Sequence, residues 1–410
     1  MTDEASGDTG SVALGPDTRL CLHDLAVRRD GDEWIVGRPA TRTFVAIPGE
    51  GAHALELLRD GRTLAEASER LRRRTGEWFD VVGFAEELVA LGFVGHIDGR
   101  PVAGATAAPA SLPGVRPEHL RFALHPLLPL IPAGLLAAAV ATVVDQPGLL
   151  PHGHDLLWTG HGSVVLASVF VCGWILVLLH ELAHFAVARA TGVAARFRLG
   201  TRLNFLVAET DISGIELASR RHRATAYLAG MAVDVSVASA ALLLEAHAVT
   251  GGAPQRAFAA LALLAVTPLA FQFMVFMRTD VYFVIQDFAG CRDLFGDGRA
   301  YARYAATRLR ATVGRRPPVA DPSRHLPRRE RRVVRLYSVV LVVGTAVALA
   351  GFAFLVLPGE IALLTHAAAR LGPGHSPGQV IDAATVLLIV GGSQVVWAVT
   401  RLRRRRARAA

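Results

Sequence analysis

Residues 163–185 read SVVLASVFVCGWILVLLHELAHF, and this stretch decides how the rest of the chain is read. From Ser163 to Leu179 there is no charged residue. An uncharged apolar run of this length, continued by the residues that follow, is a candidate transmembrane helix. Its last turns carry His180-Glu181-Leu182-Ala183-His184. Two histidines at i and i+4 lie on one helix face about a turn apart, so both imidazoles can reach a single Zn²⁺. The glutamate beside the first can act as general base on the water the metal activates. Ionisable groups at membrane depth are costly and mark function. His180 and His184 are therefore read as metal ligands and Glu181 as the catalytic residue.

The chain has 410 residues, of which 52% are hydrophobic, with a mean hydropathy of +0.38. That is too apolar for an ordinary soluble protein and fits several membrane helices joined to a soluble part. The formal net charge is +8, and every basic side chain besides histidine is arginine. The arginines cluster beside apolar segments, which favours a topological role over nucleic-acid binding, so no nucleic-acid partner is expected. Three cysteines, Cys21, Cys172 and Cys291, lie far apart and suggest neither a disulfide framework nor a thiolate metal site. Residues 1–18 are acidic and rich in Gly and Ser. They lack the basic and apolar regions of a signal peptide and read as a disordered lead-in.

Residues 19–98 read as a small α+β domain. Val27 to Val36 is a hairpin around a Gly-Asp turn, and Thr43 to Ile47 is a third strand. Three helical stretches follow, from Gly51 to Leu58, from Thr63 to Arg74 and from Asp80 to Leu91. Thr63 and Glu66 form a capping box, and Gly76 and Gly92 act as stops. Phe93-Val94 closes the domain as a strand, and the order suggests a winged helix. Arg70, Arg72, Arg73 and Arg74 on one helix read as a solvated face. The segments GDEWIVGRP from Gly31, FVAIP from Phe44, LLRDGRTLAEA from Leu57 and FAEELVALGFV from Phe84 resemble the PqqD-like winged helix of ribosomal-peptide modification systems, the RiPP recognition element. That resemblance implies a domain that takes a leader peptide as an added strand.

After a linker at 99–120, rich in Ala, Gly and Pro, six apolar spans are predicted, at 122–145, 163–188, 224–247, 257–277, 333–356 and 379–400. The loop 189–223 holds Arg189, Arg196, Arg198, Arg202, Arg220, Arg221 and Arg223, and the loop 278–335 and the tail from Arg401 are densely basic. The alternate loops are nearly bare: 146–162 has no arginine, 248–256 has Arg256 and 357–378 has Arg370. The positive-inside rule then places both termini and both basic loops in the cytoplasm of an inner-membrane protein.

A catalytic zinc takes a third protein ligand and keeps one position open. Asp280 is predicted at the cytoplasmic end of the fourth span, on the same side as the histidines, and is the third candidate. Its alternative is an interfacial acid paired with Arg278. Asp234, inside the third span, either supports the metal site or pairs with some other buried donor. Glu209, Asp211 and Glu216 read as solvated, His152, His154 and His161 as polar loop residues, Glu245 and His247 as lying near the outer face, and Asp287 as a cytoplasmic surface residue.

HELAHFAVARATGV from His180, the alternating stretch Arg196 to Thr210, GMAVD from Gly230 and RTDVY from Arg278 together resemble the site-2 protease family of intramembrane zinc metalloproteases. The resemblance covers about 160–290. It implies an aspartate ligand at Asp280 and a membrane-associated sheet over Arg196 to Thr210. Val281 stands where the family usually has glycine, and Gly230 to Asp234 where it often has Gly-Pro-x-x-Asn. Combined with the N-terminal resemblance, the chain looks like peptide zinc metalloproteases encoded with ribosomal-peptide clusters.

The expected fold is mainly α: a polytopic membrane helix bundle with six transmembrane helices and a small N-terminal winged helix. Its expected parts are a metalloprotease core at 121–290, a basic loop at 291–332, and two further spans with a basic tail at 333–410. The expected function is cleavage of a membrane-associated or ribosomally made peptide, or of a single-span membrane protein, at the cytoplasmic side of the lipid bilayer. The rival expectation is a peptide-binding export, immunity or regulatory component that cleaves nothing.

Overall fold

The structure, a computed structural model, describes residues 14–31, 33–39, 41, 43–102, 111–159, 162–202, 205–247, 251–314 and 320–406. Most of the expected lead-in, the middle of the linker, His161 and the end of the tail lie outside the described residues. The chain divides into two compact units.

The first unit is 1–114 with 193–195 and 213–219. Strands β2 (Ala26–Asp30), β3 (Glu33–Arg38) and β4 (Thr43–Ile47) form an antiparallel meander with β3 central. Gly31, at φ +64°, makes the β2–β3 turn in a region where a Cβ is disfavoured. Helices α1 (Gly49–Arg59), α2 (Leu64–Thr75) and α3 (Val81–Ala90) follow. Both bonds of the Thr63/Glu66 capping box form at the start of α2, at 3.2 and 3.4 Å. The helices bury apolar residues at helical spacing, among them Ala54, Leu55 and Leu58, then Leu64, Ala67 and Leu71, then Val81, Ala85 and Leu88. The closing strand does not join the meander. β5 (Val94–Ile97) pairs with β1 (Leu20–Leu22) and with β6 (Arg100–Pro101) in a second sheet. β2 and β4 are the outer strands of the meander.

The second unit is 115–192, 196–212 and 220–410. Among the described residues, five helices are long and apolar enough to cross a membrane: α5 (Gly162–Ala190), α6 (Arg220–His247), α7 (Gly252–Gln272), and two interrupted helices, Arg328–Ala369 and Pro377–Arg403. By length and composition this is a multi-pass membrane protein. Val171, Ile175, Leu178, Val339, Val343 and Val347 are exposed on these helices, as side chains in contact with lipid would be.

The first expected span, 122–145, does not form at full length. A 3₁₀ segment at Pro117–Leu124 is followed by α4, Leu130–Asp145, of 16 residues. Pro126, Pro129 and Pro132 remove backbone donors and bias the residues before them away from helix. The remaining helix rises about 24 Å, short of the roughly 30 Å hydrocarbon core.

The fourth expected span, 257–277, also ends early, at Gln272. A 3₁₀ turn at Val275–Met277 and a left-handed Arg278 at φ +59° break the chain. Asp280 therefore opens a separate short helix, α8 (Asp280–Ala289), and does not end the span. After α9 (Leu294–Gly314), α10 (Arg328–Gly351) runs through a π segment at Phe352–Val356 into α11 (Leu357–Ala369). Pro358 explains the π segment, since its ring would meet the carbonyl of Phe354 in a regular α-helix. α12 (Pro377–Val386) passes through a second π segment, at Leu387–Gly391, into α13 (Gly392–Arg406).

α6 is central to this unit and packs against α4, α5, α7 and α8. Beside α8 lies a cluster of Tyr282, Cys291, Leu294, Val334 and Tyr337. Burial pushes the Tyr282 phenol up to about 12. It therefore stays protonated, donates to Gln286 and accepts the N–H of Phe295 at 2.9 Å.

Candidate metal centre

His180 and His184 lie one turn apart on α5, ring centroids 4.8 Å apart and planes inclined at 68°. Both are buried, at 8% and 5% exposure. Asp280, from α8, meets them. Its Oδ2 lies 3.0 Å from His180 Nε2 and 3.2 Å from His184 Nε2, and the two Nε2 atoms are 3.1 Å apart. These three residues are the group among the described residues whose ligand atoms could hold a metal ion.

The opposite edge of each ring is engaged by α6. His180 Nδ1 lies 2.7 Å from Asp234 Oδ2, and His184 Nδ1 lies 2.7 Å from the carbonyl oxygen of Ala226. A carboxylate and a carbonyl only accept, so both Nδ1 atoms donate and carry the imidazole protons. In that tautomer both Nε2 lone pairs face the Asp280 carboxylate. Three acceptor atoms about 3 Å apart repel one another unless a proton or a metal cation lies among them. Their spacing also suits one: donors bonded tetrahedrally to a single zinc at ordinary bond lengths lie about 3.3 Å apart.

The seat for the imidazoles is a stripe of α6. Ala226, Gly230 and Asp234 follow at intervals of four, on one face. Gly230 has no side chain where His180 sits, and a Cβ there would overlap the imidazole. Asp234 is 1% exposed. Of the two readings open from sequence, its carboxylate is the one engaged at the histidine.

Asp280 is positioned from α7. Its N–H donates to Gln272 Oε1 at 2.9 Å, and the Thr279 hydroxyl donates to the Gln272 carbonyl at 2.6 Å. Arg278 does not take Asp280 as its partner. Its guanidinium lies over the rings of Tyr282, Phe283 and Phe295, 5.6–6.0 Å from their centroids. α8 is held on α6 by the stacked Tyr227 and Phe283, 5.7 Å apart, and by Arg223 and Asp287 at 2.6 Å. Asp287 is therefore not the open surface residue expected; its side chain is 13% exposed.

Glu181 is half-buried, and its carbonyl accepts the Thr210 hydroxyl at 3.0 Å. Thr210 belongs to a hairpin of β7 (Arg196–Arg202) and β8 (Phe205–Asp211). Phe197 on β7 stacks on Phe185 of α5 at 5.0 Å. Glu209 and Asp211, expected after the hairpin, lie within β8, and Asp211 pairs with Arg198 at 3.2 Å. Residues 203–204 lie outside the described residues. Thr142 and His247 approach to 3.4 Å across α4 and α6.

Sequence reasoning missed Gln272, the Arg223–Asp287 pair and the carbonyl of Ala226. A signal for Arg223 existed: it stands in line with Tyr227, Gly230 and Asp234 at four- and three-residue steps, one face of a helix, and the structure buries all four. Gln272 left none, because its partner is eight residues away across a chain break that hydropathy does not mark. No family model, curated protein or solved structure matches the chain.

Proposed function

We propose that this protein is a membrane-embedded zinc metalloprotease that cleaves a membrane-associated or ribosomally made peptide near the cytoplasmic face. The observation that carries the reading is the convergence of His180 Nε2, His184 Nε2 and Asp280 Oδ2 beside Glu181. Zinc held by these three residues would supply Lewis acidity, polarising the scissile carbonyl and making water a nucleophile at neutral pH.

The protein's own side chains do the rest. Asp234 and Ala226 hold the imidazoles with Nε2 free to ligate. Glu181 takes the proton from the attacking water and returns it to the departing amine. A substrate helix hides its carbonyls in its own hydrogen bonds, so it must be extended before attack. The β7–β8 hairpin, tied to α5 through Thr210 and Phe197, offers a strand edge for that. The outer strands of the N-terminal meander offer the corresponding edge for a recruiting peptide. The arginine distribution supports an inner-membrane protein with both termini in the cytoplasm. On this reading its partners are a peptide or single-span membrane protein and the lipid bilayer, without nucleic acid, and α4 together with the 3₁₀ segment before it makes the sixth crossing that two cytoplasmic termini require.

Glu181→Gln tests the chemistry. Metal analysis should find one zinc per chain in wild type and in Glu181→Gln, and none in His180→Ala or Asp280→Ala. Co-expression with a tagged precursor peptide encoded beside the gene should give cleavage that Glu181→Gln abolishes. Cleavage undiminished in Glu181→Gln would overturn the proposal and leave the non-proteolytic peptide-binding reading.

A further inference from the structure

The two histidines of the cluster are supported differently, and the difference is one of charge. His184 is held by a neutral backbone carbonyl, His180 by a carboxylate, each at 2.7 Å. Asp234 is 1% exposed, deep in a helix with no arginine between Arg223 and the helix end at His247. A buried carboxylate needs more than one hydrogen bond from a neutral ring to offset its lost hydration. A divalent ion at His180 Nε2 draws electron density from the same ring whose Nδ1–H the carboxylate holds, so the charge on Asp234 offsets that pull. The His180 ring is the body between that carboxylate and the ligand cluster.

We infer that Asp234 is a positioning residue that acts through His180 in two ways: it fixes the Nδ1–H tautomer, and its negative charge at Nδ1–H makes the ring a stronger ligand for a divalent cation. The inference rests on the metal-site reading above. It makes Asp234 a determinant of how tightly a divalent cation is held, separate from any role in peptide cleavage. The seat is built for this: Gly230, one turn before Asp234, leaves the space that lets the ring reach the carboxylate.

The experiment compares full-length wild type, Asp234→Asn and Asp234→Ala in detergent. Zinc affinity is measured by chelator competition, and the visible absorption bands after cobalt substitution report ligand geometry. Asp234→Asn keeps an acceptor for Nδ1–H and loses the charge; Asp234→Ala loses both. The expected result is a 10- to 100-fold loss of zinc affinity in Asp234→Asn, the range seen when the partner of a ligating histidine is removed. Its cobalt bands should stay close to wild type. Asp234→Ala should bind at least as weakly, with altered bands. If Asp234→Asn binds zinc within twofold of wild type, the charge argument is overturned. If both variants keep wild-type affinity and bands, the positioning role is overturned too. Should Asp234→Ala fail to fold, the near-isosteric Asp234→Asn still decides. Failure of the metal-site reading itself looks different: wild type would then bind no zinc.

Discussion

The side-chain carbonyl of Gln272 accepts the backbone N–H of Asp280 at 2.9 Å. One residue at the end of α7 thus caps α8, whose own cap residue Thr279 makes no side-chain capping bond. The group it holds at that helix start is the carboxylate-bearing member of the candidate metal centre. Removing a helix cap costs about 1 kcal/mol. Gln272→Ala should lower thermal stability modestly and weaken metal binding, because the first turn of α8 is where Asp280 is aimed. Gln272→Glu, which keeps an acceptor, should bind metal better than Gln272→Ala. Equal metal affinity in Gln272→Ala and wild type, by chelator competition, would show that the cap does not position Asp280.

Gly230→Ala introduces a methyl group into the space of the His180 imidazole. Overpacking of this kind costs roughly 1–3 kcal/mol, and here the ring is the movable body. The expected outcome is a folded, membrane-inserted protein with substoichiometric metal. Alanine at Gly173 on α5, where a Cβ meets nothing within 4 Å, is the control and should retain full metal content.

Arg223 and Asp287 form a largely buried ion pair between α6 and α8, with side chains 9% and 13% exposed. Removing one partner of a buried pair leaves an uncompensated charge, at about 3–5 kcal/mol, whereas replacing both by apolar groups is often neutral. Arg223→Met and Asp287→Leu should each lower the melting temperature. The double variant should recover most of the loss. A double variant as unstable as the sum of the singles would mean that the two residues do not act as a pair.

Cys21 is exposed in the N-terminal unit. With Cys172 and Cys291 replaced by serine, a membrane-impermeant thiol reagent should label the protein only after the membrane is permeabilised. Labelling of Cys21 in intact cells would contradict a cytoplasmic N-terminus.

Binding of a peptide along a meander edge is mostly backbone hydrogen bonding and should survive moderate salt. Phosphate-driven DNA binding would fall by about 10³ or more between 50 and 200 mM salt for several contacts. Titrating the full-length protein with candidate leader peptides and with duplex DNA separates the two. Salt-sensitive duplex binding without peptide binding would favour a membrane-tethered regulator.

Local physics made much of this legible from the chain. Helical spacing alone brings His180 and His184 to one face, because i and i+4 are neighbours on any α-helix. The Thr63 capping box and the Gly76 stop mark α2 within a single turn, and both are short-range hydrogen-bond and φ requirements. Apolar length located the long helices for the same reason. It failed at 122–145, where three prolines shorten the helix, and at 257–277 it found α7 but misplaced its end, because hydropathy runs on past a backbone break. Span depth and the resemblance pointed to Asp280, and left Asp234 open; what tertiary structure alone decided is how these distant groups meet the imidazoles. Asp234 is 54 residues from His180 and Asp280 is 100. Whether a carboxylate meets an imidazole across such a gap depends on how α6 and α8 are rotated and seated. Those are set by Gly230, Tyr227, Arg223 and Gln272 acting together, through packing and pairing that no local window of sequence contains.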